Sequence, residues 1–131
     1  MASKFFFSFL ILFLSLQFCT PIFTPTLRLI IFISAFPKRA PPIYMNCTVA
    51  SYGFEAGSHT FKPVDIYRLN VAFVDTHYCR GVFGLKSASV RAYEPDRDQG
   101  HGTMFWKIDL YGFSFSYDNS TFKEVAPWKW K

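Results

Sequence analysis

The sequence predicts an all-β fold: a small antiparallel β-sandwich of about eight strands, immunoglobulin-like in architecture. Three observations carry this expectation. Apolar residues alternate with polar ones at period two in run after run. Turn-forming residues separate these runs at intervals of roughly 8–12 residues. No segment keeps a helical period over three turns.

The first element is a leader and not part of the fold. Residues 1–4 carry one positive charge, Lys4, and residues 5–18 form an apolar or small-residue run with only Gln17 strongly polar. That is the length of a secretory signal core, short of the roughly 20 residues a membrane-spanning helix needs. Seven of the 17 phenylalanines fall in the first 23 residues. Cleavage is expected between Gln17 and Thr26, so residues 1–22 are assigned to the signal peptide and 23–131 to one domain. Pro21, Pro25 and Arg28 interrupt the apolar run before it can extend into a membrane anchor.

Five strong strands follow from alternation. In residues 43–50, Ile43, Met45, Cys47 and Val49 share one face and Tyr44, Asn46 and Thr48 the other. Residues 66–73 set Tyr67, Leu69, Val71 and Phe73 against Arg68 and Asn70. Residues 77–83 place Cys79 and Phe83 opposite Arg80, and His77 is expected inward as a core residue. Residues 103–110 set Met104, Trp106, Ile108 and Leu110 against Thr103, Lys107 and Asp109. Residues 112–117 alternate Phe113, Phe115 and Tyr117 with small residues. Weaker strands are expected at 27–34, 59–61 and 89–93. Trp128 and Trp130 are expected to cover an edge of the core.

Removal of the leader leaves 13 basic residues against nine acidic ones. The basic residues are scattered, with only Lys38 and Arg39 adjacent, so nucleic acid is not an expected partner. After cleavage, stable membrane insertion is not expected either. Cys19 lies near the leader's end, which leaves Cys47 and Cys79. An even pair in a secreted chain reads as one disulfide. Both cysteines face inward on separate strands, an arrangement placed to tie two sheets together.

No metal site or cofactor is expected. Asp96, Asp98 and Gly100 begin like a calcium loop, but the twelfth position is Lys107, where a bidentate glutamate is needed. His59, His77 and His101 stand at no metal-ligand spacing. No nucleophile elbow or phosphate-binding glycine loop is present, so no catalytic residue is assigned. Asn46-Cys47-Thr48 and Asn119-Ser120-Thr121 are glycosylation sequons, with Asn119, in a turn, the better acceptor.

With the strands placed, the chain resembles the plant self-incompatibility protein S1 family, the S-protein homologues, from about Leu27 to Trp130. Pro41-Pro42-Ile43-Tyr44-Met45-Asn46-Cys47 resembles the segment leading to the family's first cysteine. The 53–61 stretch, ending Gly-Ser-His-Thr-Phe, resembles its G-x-H-x-L element. Residues 67–73 resemble its Y-x-x-x-F strand, Thr76-His77-Tyr78-Cys79 its T-L-F-W-C strand with one residue fewer, and 90–98 its F-D-V-F run with a polar R-D. Phe105-Trp106-Lys107-Ile108 and Tyr111-Gly112-Phe113 resemble its C-x-W-x-V and D-G-F elements.

The departures are informative. The family commonly has four cysteines. Met104 stands where one is expected, the companion is absent from 98–102, and Ser34 stands where Asn is common. Loss of one whole family pair leaves Cys47–Cys79 as the other; a crossed pairing would orphan both thiols. The first is the simpler account.

The resemblance implies a secreted, non-catalytic sandwich acting as a recognition ligand for a cell-surface receptor; the protein is expected to be a monomer. The alternative is a secreted small-molecule-binding or defence protein on the same fold. The expected contact surface is the most polar loop, with Asp96, Arg97, Asp98, Gln99 and His101, because loops on a rigid support vary without disturbing the core.

Overall fold

The computed structural model describes residues 27–51 and 53–131. The expected signal peptide, its expected cleavage window and Cys19 lie outside the described residues. Ten strands run in chain order: β1 Leu27–Ser34, β2 Ile43–Val49, β3 Glu55–Phe61, β4 Ile66–Ala72, β5 His77–Phe83, β6 Lys86–Tyr93, β7 Thr103–Ile108, β8 Gly112–Ser116, β9 Lys123–Pro127 and β10 Lys129–Trp130. They form two five-stranded sheets, β4-β1-β7-β8-β9 and β10-β6-β5-β2-β3. The all-β sandwich expectation holds, with ten strands in place of about eight.

The two additional strands are β9 and β10. Every residue of β9 except Ala126 is exposed, so no alternation marks it. Backbone bonds define it instead: β9 pairs with β8, then Trp128 N donates to Tyr111 O and β10 pairs with β6 in the other sheet. The C-terminal segment thus laces the two sheets together. One pairing departs from the antiparallel expectation, because β1 and β7 run parallel, from Leu29↔Thr103 to Ser34↔Ile108. Alternation reports which face is buried and is silent on the neighbour's direction.

Both inner faces supply the core. Ile30, Phe32, Val71, Met104, Trp106, Ile108 and Phe113 come from the first sheet, and Ile43, Met45, Cys47, Phe61, Cys79, Val90 and Ala92 from the second. Met104 is fully buried and fills its site as an apolar side chain. Phe32 meets Phe61 edge-on across the sheets at 6.4 Å, and Trp106 Nε1 donates to Ala92 O at 3.0 Å, also across the sheets. His77 is buried as expected, with Nδ1 3.1 Å from Asp75 O.

Cys47 and Cys79 are bonded, with Cα atoms 4.0 Å apart. They lie opposite one another on β2 and β5, which are neighbours in one sheet. The bridge therefore staples two strands of a single sheet, correcting the expectation of an intersheet tie; the apolar core holds the sheets together. Trp128 covers the core edge as expected, packing on Phe83 and Phe113, while Trp130 stands exposed with Lys86 Nζ 4.7 Å above its ring. Phe73, expected inward, is exposed just beyond the end of β4.

Candidate recognition loop and its support

The loop joining β6 to β7 is pulled onto the sandwich by Asp98, which is wholly buried. Its Oδ1 accepts from Arg97 Nε at 2.8 Å and lies 2.7 Å from the Tyr117 hydroxyl. Its Oδ2 accepts from Arg97 Nη2 at 2.6 Å and from Glu94 N at 2.8 Å. Asp98 N donates to Glu94 O and His101 N to Asp98 O, which curls the chain into compact turns. Burying this carboxylate is tolerable because both oxygens are fully used.

Arg97 is the second half of the clamp. Beyond its fork on Asp98, Nη1 donates to Arg91 O at 2.8 Å, and its guanidinium lies 4.8 Å from the Phe115 ring centroid. Its side chain is 31 % exposed. Burial disfavours its charge, but the Asp98 hydrogen bonds and charge outweigh burial and raise its pKa. Burial first, and the Asp98 carboxylate second, push the Tyr117 phenol up to about 12. The Tyr117 ring then serves as a platform: His101 stacks on it at 3.7 Å with planes 14° apart.

The five loop residues thus divide. Asp98 is interior and Arg97 is half-committed to it, which corrects the expectation of a uniformly solvated charged tip for Asp98. Asp96, Gln99 and His101 face solvent. Asp96 and Gln99 border an open groove of about 330 Å³ whose other walls include Arg28, Phe73, Val74 and Tyr93. Phe73 and Val74 are exposed there, and Tyr93 Oη donates to Phe73 O at 2.8 Å, fixing that turn against β6. Phe73 and Val74 escaped the sequence reading because continuing period two past Ala72 assigned Phe73 to the core.

Asn119 occupies the tip of the β8–β9 turn at φ 61° and is exposed. Asp118 organises this turn: Thr121 N, the Ser116 hydroxyl and Ser120 N all donate to its Oδ1 and hold its pKa far below the ordinary carboxylate range. Asn46 is half-buried on β2, its Nδ2 donating to Glu55 Oε1 at 3.3 Å. Of the two sequons, Asn119 is the more accessible.

A serine, a histidine and an aspartate also approach one another at the β3–β4 loop. His59 Nε2 lies 2.7 Å from Asp65 Oδ2, and the His59 ring stacks on Tyr67 at 4.7 Å. The hydrogen bond from His59 is the largest cause of the lowered Asp65 pKa. The Ser34 hydroxyl, however, donates to Lys62 O at 2.6 Å and accepts from Asp65 N at 2.7 Å. It closes the loop and is not aimed at the imidazole. Among the described residues no group of three or more His, Cys, Asp or Glu is placed to hold a metal ion.

The sequence matches no family model and no curated protein. The fold is similar to a solved structure of a self-incompatibility protein homologue, from a widespread family of small, highly stable, secreted plant proteins. The TM-score is 0.61 at 11 % identity, over 80 % of this chain and 96 % of that one. The chain therefore has the fold of the self-incompatibility protein homologues.

Proposed function

We propose that this protein is a secreted extracellular recognition ligand of the self-incompatibility-homologue type that meets a cell-surface receptor through its β6–β7 loop. The observation carrying this reading is the division of labour in the loop. Arg97, Asp98 and Tyr117 lock its backbone, so Asp96, Gln99 and His101 are presented with little freedom left to lose on binding. Phe73 and Val74 add an apolar contact beside them, the usual composition of an anchor with a polar rim. Secretion, leader cleavage and a glycan at Asn119 belong to the same reading, and a glycan there would project from a turn tip without disturbing a strand.

The test replaces the groove-lining residues Phe73, Val74, Asp96 and Gln99 and spares the clamp. A variant carrying Phe73→Ser, Val74→Ser, Asp96→Ser and Gln99→Ser is expected to keep the parent's melting temperature. Its binding to plant cell surfaces should weaken by about 30-fold or more, the loss of one hot spot. Unchanged binding by this folded variant and by His101→Ser would remove the loop from the contact surface.

A further inference from the structure

The end of the sandwich opposite the β6–β7 loop has a different character. The parallel strands β1 and β7 both finish there, and Ala35 N donates to Ile108 O. Ser34 N donates to Asp65 O, Trp128 N to Tyr111 O and Lys131 N to Leu85 O. These bonds, with the Ile43↔Phe61 pairing, bring residues 35–42, 62–65, 84–85, 109–111 and 128–131 to one end. Lys38, Arg39, Lys62, Lys86, Lys129 and Lys131 all lie on these segments or directly beside them.

Only two acidic residues, Asp65 and Asp109, share that end. Asp65 is engaged by His59 and by Ile66 N, and Asp109 Oδ1 accepts from Tyr111 N and Gly112 N. Six of the nine acidic residues, Glu55, Asp75, Glu94, Asp96, Asp98 and Asp118, belong to the far end. The basic end also carries exposed apolar side chains, Val64 at 86 %, Leu85 at 72 % and Tyr111 at 76 % on separate reversals and Trp130 at 72 % on β10.

We propose that this basic, apolar end docks on an anionic phospholipid surface. Cations attract the headgroups, while Tyr and Trp suit the interface and isolated aliphatic tips can enter the headgroup–acyl boundary. Each lysine or arginine near such a surface raises partitioning about fivefold. An anionic polysaccharide would use the cations but leave Val64 and Leu85 in water. The far end sets six carboxylates against Arg28, Arg91, Arg97 and Lys123 and so offers the surface no excess of cations, which orients docking with the β6–β7 loop facing away. The inference does not depend on a receptor.

The experiment is co-sedimentation of protein purified from the secretion medium with two vesicle types. One is phosphatidylcholine alone; the other contains about one-third phosphatidylserine. The protein should sediment with the second only, and less as salt rises. Lys86→Ser/Lys129→Ser/Lys131→Ser should weaken that binding on the order of 100-fold. Leu85→Ser/Tyr111→Ser should weaken it measurably, and Lys123→Ser on β9 should not. Melting is checked for each variant, and the salt dependence of the parent stands without them. The proposal is overturned by equal binding to both vesicle types or by binding to neither. Polygalacturonate binding without vesicle binding, or undiminished binding by the folded lysine variant, overturns it too.

Discussion

Replacing Asp98 with alanine should cost more stability than any other single change in the β6–β7 loop. The carboxylate is wholly buried and takes hydrogen bonds from Arg97, Glu94 N and the Tyr117 hydroxyl. Truncation strands the Glu94 amide, takes the carboxylate partner from Arg97, and leaves the Tyr117 hydroxyl with the Arg97 carbonyl at 3.0 Å. Arg97 is 31 % exposed and can turn partly to water, so its share is discounted. The Glu94 amide has less recourse, and an unsatisfied buried donor costs about 1–3 kcal/mol. The sum is about 3 kcal/mol, at the lower edge of what breaking a buried ion pair costs. For a domain of this size that lowers Tm on the order of 15 °C. Urea unfolding of the parent, Asp98→Ala, Arg97→Ala and the double variant supplies both the loss and the coupling. A coupling above about 1 kcal/mol is expected for groups in direct contact. A loss under about 0.5 kcal/mol in Asp98→Ala, with the m-value unchanged, would refute the claim that this residue locks the loop.

Other consequences follow from single features of the structure. Cys47→Ala/Cys79→Ala should lose about 3–4 kcal/mol in denaturant titration, the chain-entropy value for a 32-residue separation. Gly112 has φ 140° and no room for a Cβ against the Ala126 carbonyl, so Gly112→Ala should cost about 2–4 kcal/mol and loosen β9, seen as faster amide exchange. The Tyr117 pKa is raised in the fold, so its contribution is intact below the unfolded value of about 10 and is lost as pH climbs toward about 12; Tyr117→Phe should flatten that alkaline decline in urea midpoint. Asp118 is shifted the other way, so its contribution is present above about pH 4 and lost on acidification, and Asp118→Asn should reduce the acid dependence. N-terminal sequencing of the secreted protein should begin between Phe18 and Leu27.

The legible part of the fold was the part encoded by alternation. Ile30 and Phe32, Met45 and Cys47, and Met104, Trp106 and Ile108 all face inward as period two requires. The boundaries of β1 and β5 agree with the sequence reading. What alternation cannot encode was missed. The exposed strand β9, the parallel β1–β7 pairing and the placement of both cysteines in one sheet are properties of strand order. Asp98 illustrates the limit for the site. A charged residue between Arg97 and Gln99 reads as solvated, and its burial depends on Tyr117, far away in sequence, supplying the hydroxyl above it. The charge polarity of the two ends was invisible for the same reason: Lys38, Lys86 and Lys131 are scattered along the chain and meet only through register.

Recognition of a protein receptor is tested most directly by binding of labelled secreted protein to plant protoplasts before and after the cells are shaved with protease. The account predicts saturable binding, displaced by unlabelled protein, that shaving sharply reduces and that the Phe73→Ser/Val74→Ser/Asp96→Ser/Gln99→Ser variant weakens by about 30-fold or more. Lipid docking alone would survive shaving. Binding that never saturates, or that persists undiminished on shaved cells, would contradict the receptor-ligand account.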